Sequence, residues 1–130
     1  GIFEIYEYIR GTNFSTITSN LQKLSQMDNV NVQIAFTASV FNFLILPQSI
    51  NYWKNIGIEN FQVDYAQEKY LSPFLLGKKN YIKIAQSNPY TEGWKFKKPL
   101  KEHYELHENY KQFWNKHRGM DWDNIDVSKY

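Results

Sequence analysis

The residues best suited to chemistry in this chain are few and well separated. Arg10 ends the run "YEYIR" and stands just before Gly11, Thr12 and Asn13. Its planar guanidinium can hold a carboxylate through two charge-assisted bonds. It can equally close a helix C-terminus, where the dipole favours a cation. Thr37, Ser39 and Asn42 fall within "FTASVFN". Short polar side chains of this kind can bond a ribose or an amino group, or satisfy the backbone of a turn. Asp64 and Tyr65 close the comparable stretch "ENFQVDY". His103 and His107, in "HYELHENY", are spaced to share a helix face. The zinc-protease form needs Glu directly after the first His as base, but Tyr104 stands there and no third ligand follows. A solvated face beside Glu105 and Glu108 is the expected state. "WKFKKPLK" mixes lysines with aromatics, which can touch nucleic acid by charge and stacking. Acidic residues resume at Glu102, so a surface loop and helix start is expected there, with no nucleic-acid partner.

These side chains need elements to carry them. "IFEIYEYI" has near-helical apolar spacing and reads as a short helix broken at Gly11. Thr12 or Asn13 can cap a helix over 14–27 with the stripe Phe14, Ile17, Leu21, Leu24 and Met27. "VNVQIAFTAS" alternates and is rich in β-branched residues, which predicts a strand over 30–38. Pro47 suits the first turn of a helix over 47–56 that stops at Gly57. A second strand is predicted over 59–66. Strand, helix and strand with short connections form a βαβ unit, whose strands run parallel. A helix follows near 78–87, then a loop rich in Pro, Gly and Asn. Pro99 can start the last helix, 99–117, ahead of Gly119, and an irregular tail is expected after it. Thr37, Ser39 and Asn42 thus fall at the C-terminal end of the first strand, where α/β barrels carry their sites.

A chain of 130 residues fits one domain. Aromatics make up 18% of it, against the composition of disordered chains. The formal charge of +2 is too mild for a dedicated polyanion binder. No cysteine is present, so disulfides, thiolate metal sites and iron–sulfur ligation are excluded from within this chain. No apolar run nears the ~20 residues that span a bilayer. No signal-peptide pattern opens the chain, so no membrane association and a cytoplasmic location are expected. It begins on Gly1 rather than Met, as a fragment or processed product would. Two parallel strands alone leave apolar edges that normally meet further strands. The fold class expected is therefore α/β, part of a larger sheet or barrel.

The motifs "YEYIRGTNF", "VQIAFTASVFN" and "WKNIGIENFQVDY", in that order, resemble the second half of a radical S-adenosylmethionine (radical SAM) enzyme with a twitch-like C-terminal extension. "YLSPFLLGKK" is similar to the family's "L-S-P-x-x-L-P" loop, with Gly77 where Pro is usual. "HRGMDWDNIDVSKY" is similar to its closing segment, with the final Pro-x-Leu lost. The resemblance implies a partial (β/α) barrel over about 1–70 and a loop and helical extension over about 71–130. It implies that Arg10 points to the carboxylate of S-adenosylmethionine, with Thr37, Ser39 and Asn42 also on the cofactor. It implies a [4Fe–4S] cluster held by a three-cysteine motif in an N-terminal half-barrel that this chain lacks, so the chain alone should be inert and bind neither group tightly. The full-length chemistry implied is reductive cleavage of S-adenosylmethionine to a radical that abstracts hydrogen from an unknown substrate. The alternative is a non-catalytic α/β interaction or binding domain on the same scaffold.

Overall fold

The computed structural model describes residues 2–125. Its elements follow in the order α1 (Ile2–Arg10), α2 (Phe14–Ser25), β1 (Gln33–Ala38), α3 (Leu46–Asn55), β2 (Asn60–Tyr65), α4 (Lys78–Ala85) and α5 (Lys101–Arg118). Single 3-10 turns occur at Phe43–Ile45, Pro73–Leu76 and Trp122–Asn124. The two strands pair in parallel, from Gln33 opposite Asn60 to Ala38 opposite Tyr65. The chain is a mixed α/β protein, and α3 makes the crossover the alternation and Pro47 predict.

Side-chain alternation gives the sheet two unlike faces. Ile34, Phe36, Ala38, Phe61 and Val63 lie on the covered face and pack into the apolar clusters. Gln33, Ala35, Thr37, Asn60, Gln62 and Asp64 lie on the other face and are exposed. The main cluster joins Ala38, Phe43, Leu46 and Ile50 to Tyr81, Ile84 and Ala85 of α4. Phe43 stacks on Tyr81 at 5.2 Å and on Trp94 at 6.0 Å. Burying one such ring contributes roughly 1.5–3 kcal/mol. A second cluster of Phe14, Trp53 and Ile58 seats the start of α2 against α3.

The edges of β1 also differ. The Ala66 N–H donates to the Ala38 carbonyl at 2.8 Å. A parallel ladder alternates its bonds, so the even-numbered residues of β1 bond to β2. Gln33, Ala35 and Thr37 direct their backbone groups to the opposite edge, where no strand lies among the described residues. Two strands do not define a barrel; among the described residues they form one βαβ unit with an exposed face and no strand on either outer edge.

Several boundaries depart from expectation for local reasons. Asn13, not Thr12, caps α2, its side chain accepting from the Thr16 N–H at 3.0 Å. The second half of the predicted α2 stripe is not core: Leu24 and Met27 are exposed, and α2 ends at Ser25. Asn29 turns with a positive φ of 63°, which delays β1 to Gln33. Pro99 lies outside α5, because Leu100 is the extended N-cap and its N–H is taken by His103 Nδ1 at 3.1 Å. The tail carries a 3-10 turn, Trp122–Asn124, that was expected to be irregular. The last five residues of the "HRGMDWDNIDVSKY" resemblance lie outside the described residues.

Candidate functional site

A cavity of about 700 Å³ opens between α1, α2, the open edge of β1 and the inner face of α5. All four residues singled out from sequence, Arg10, Thr37, Ser39 and Asn42, line it. Asp64 and Tyr65 do not: Asp64 accepts from Gln62 Nε2 at 3.0 Å, and Tyr65 packs edge-on to Trp94.

Arg10 is the cavity's cationic group. It is the last residue of α1, it is exposed, and no hydrogen bond or ion pair with another described residue engages its guanidinium. The helix-closing role that Arg10 could have played belongs to Arg118. Arg118 Nε donates to the Tyr8 carbonyl at 3.1 Å, and its Nη2 donates to the Ile9 carbonyl at 3.4 Å. Those carbonyls lie in the last turn of α1, where no intrahelical donor reaches.

Ser39 and Asn42 build the turn that ends β1. Asn42 Oδ1 accepts from the Ser39 N–H at 2.7 Å and from Ser39 Oγ at 3.3 Å. Its Nδ2 donates to the Thr37 carbonyl at 3.0 Å. Ser39 Oγ in turn accepts from the Phe41 N–H at 3.2 Å. These are the local backbone bonds that short polar residues favour. They fix the shape of the cavity mouth and leave the exposed Thr37 hydroxyl without a bond to any described residue.

Glu68, Tyr110 and Trp114 also line the cavity, and the sequence reading passed over them. Tyr110, Trp114 and Arg118 are spaced i, i+4, i+8 along α5, which places them on one helix face; that spacing was the available signal. Burial pushes the Tyr110 phenol above its usual range. Glu68 carried no signal, because it follows β2 in an irregular segment.

The two histidines of α5 have structural partners. His103 caps the helix start, and His107 Nδ1 bonds the Tyr70 carbonyl at 2.9 Å while its ring tilts against Phe41. Burial holds His107 below its ordinary pKa. Among the described residues no group of three or more His, Asp or Glu could hold a metal ion. With no cysteine, the residues present do not fit an iron–sulfur cluster. No helix among the described residues is long and apolar enough to cross a membrane.

No protein family, curated protein or solved structure matches this chain.

Proposed function

We propose that this chain is the distal part of a radical SAM enzyme and that its cavity takes the amino-acid end of S-adenosylmethionine. The observation that carries the reading is the unengaged Arg10 guanidinium in the same cavity as Thr37, Ser39 and Asn42. A planar fork with free donors at the rim of a cavity suits a carboxylate. The open edge of β1 suits a position within a longer sheet.

The fit differs between the two groups the reading implies. The residues present suit the sulfonium cofactor: Arg10 would take its carboxylate, and the Thr37 hydroxyl offers a second polar contact. They do not suit the [4Fe–4S] cluster, which needs thiolates from a preceding half-barrel. When bound and reduced at such a cluster, S-adenosylmethionine supplies a radical for hydrogen abstraction. This chain's own contribution is to bind and orient: Arg10 neutralises the carboxylate, and the Ser39–Asn42 turn holds the mouth of the cavity in one shape.

The test uses the full-length protein. Arg10→Ala should weaken S-adenosylmethionine binding by ~1.5–3 kcal/mol, the scale of a hydrogen bond to a charged group. Arg10→Lys should recover part of that, because an ammonium lacks the fork. Calorimetric titration of the cofactor distinguishes them, and equal affinities for wild type and both variants would remove Arg10 from the site. A C-x-x-x-C-x-x-C run in the reading frame before Gly1 is the matching observation at the level of sequence.

A further inference from the structure

We infer that Arg118 is a positioning residue for Arg10, through which the C-terminal helix sets the cavity's affinity for a carboxylate. The inference rests on the reading of Arg10 given above. Arg10 sits between Ile9 and Gly11, and Arg118 touches both neighbours. Its guanidinium bonds the carbonyls of Tyr8 and Ile9 at 3.1 and 3.4 Å. It also fills the place a side chain would take at Gly11: a Cβ built there would lie 2.6 Å from Arg118 Nη1. Gly11 has φ +67°, so the turn needs glycine for its conformation as well as for this space. The guanidinium also meets an indole, since Arg118 Cζ lies 4.1 Å from the centre of the Trp114 ring.

These contacts hold the Arg118 guanidinium along its donor edge, against Gly11 and over the Trp114 ring. A lysine could supply the charge but not the flat fork that reaches two successive carbonyls and stacks on an indole. Without the fork the last turn of α1 is free to fray, as helix ends do, and Arg10 leaves with it. Arg118 does not line the cavity itself, whereas Arg10 and Trp114 do. Its effect on a ligand therefore passes through the turn it holds.

A double-mutant cycle separates positioning from general support. Calorimetric titration of S-adenosylmethionine into the full-length protein is run for wild type, Arg10→Ala, Arg118→Ala and the double variant, with Arg118→Lys as the conservative change. Arg118→Ala should weaken binding about tenfold when Arg10 is present and less than about twofold when Arg10 is already alanine. Arg118→Lys should fall between wild type and Arg118→Ala. Arg118→Gln, which keeps one donor and removes the charge and the fork, should show a smaller loss with the same dependence on Arg10 and serves if Arg118→Ala does not fold. Equal losses in the two Arg10 backgrounds, or full affinity in Arg118→Ala, would overturn the inference while leaving Arg10 in the site. Unchanged affinity in Arg10→Ala would overturn the site reading and this inference with it.

Discussion

Phe43 in the α3–α4 core and Tyr8 in α1 are buried to nearly the same degree, yet they are held by different means. Phe43 is surrounded by rings and aliphatic chains: Leu46, Tyr81 and Trp94 close over it, and nothing polar is needed. Tyr8 also has rings beside it, Phe41 at 5.3 Å and Trp122 at 5.2 Å. Its hydroxyl, however, donates to Asn115 Oδ1 at 2.8 Å, and the carbonyl of the same residue is bound by Arg118. Close by, Lys111 is paired with Glu108 at 2.9 Å and Asp123 at 3.1 Å. The covered side of the sheet is held by apolar burial, which is non-directional and tolerates drift. The seam between α1 and α5 beside the cavity adds hydrogen bonds that fix angles.

That contrast can be broken first on the apolar side. Phe43→Ala should destabilise the fold by ~3–5 kcal/mol, the range for removing a buried phenylalanine. Chemical denaturation of the purified chain measures it; a loss near zero would mean the α3–α4 core is not the main source of stability. On the polar side, Asn115→Ala strands the Trp122 N–H and leaves the Tyr8 hydroxyl only its longer bond to the Lys111 carbonyl at 3.4 Å. A cost of ~1–3 kcal/mol is expected for an unsatisfied buried group. A smaller loss would show that the latch between α1 and α5 is already open in solution.

The finest comparison pairs two phenols, one from each side, and reads them at neutral and at alkaline pH. Burial is the first cause in both cases, and it pushes Tyr8 and Tyr81 from 10.0 up to about 12. The unfolded chain releases each proton near pH 10, whereas the folded chain keeps it to about 12. Their contribution is therefore fully present below pH 10 and declines as the pH rises from there towards 12. Melting curves across that window should show the decline, and Tyr8→Phe or Tyr81→Phe should each shrink it. At neutral pH the two variants should part. Tyr81 Oη is buried without a partner, so its loss should be neutral or slightly stabilising. Tyr8→Phe discards a good bond to Asn115 and should cost stability. Identical behaviour of the two would erase the difference between the sides.

The parts of this fold that could be read from sequence are those whose cause is local. Alternation at Ile34 and Phe36, Pro47 in a first turn and Gly57 after the last one state a strand–helix–strand unit within a few residues of each event. Three of the four candidate residues could be placed together, because Thr37, Ser39 and Asn42 follow one another at the end of β1; Arg10 ends α1, with α2 in between, and only the resemblance joined it to them. Partner choice was less legible. Leu24 continues the stripe of Phe14, Ile17 and Leu21 but is exposed and lies outside the apolar cluster, which reaches only to Leu21. Asn42 looks the same in sequence whether it serves a ligand or its own turn. Most of all, the arginine that closes α1 is Arg118, and no local pattern around Arg10 could name a donor from the far end of the chain.

Gly11 carries a consequence for synthesis. Its left-handed turn is completed by a group translated 107 residues later. At ribosomal speeds of ~5–20 residues per second, the end of α1 waits about 5–20 s for its closing donor. Through that interval α1 and α2 can pair locally while Arg10 has no fixed bearing. The orientation of this side chain is thus among the last features the nascent chain acquires, and it arrives only with the end of α5.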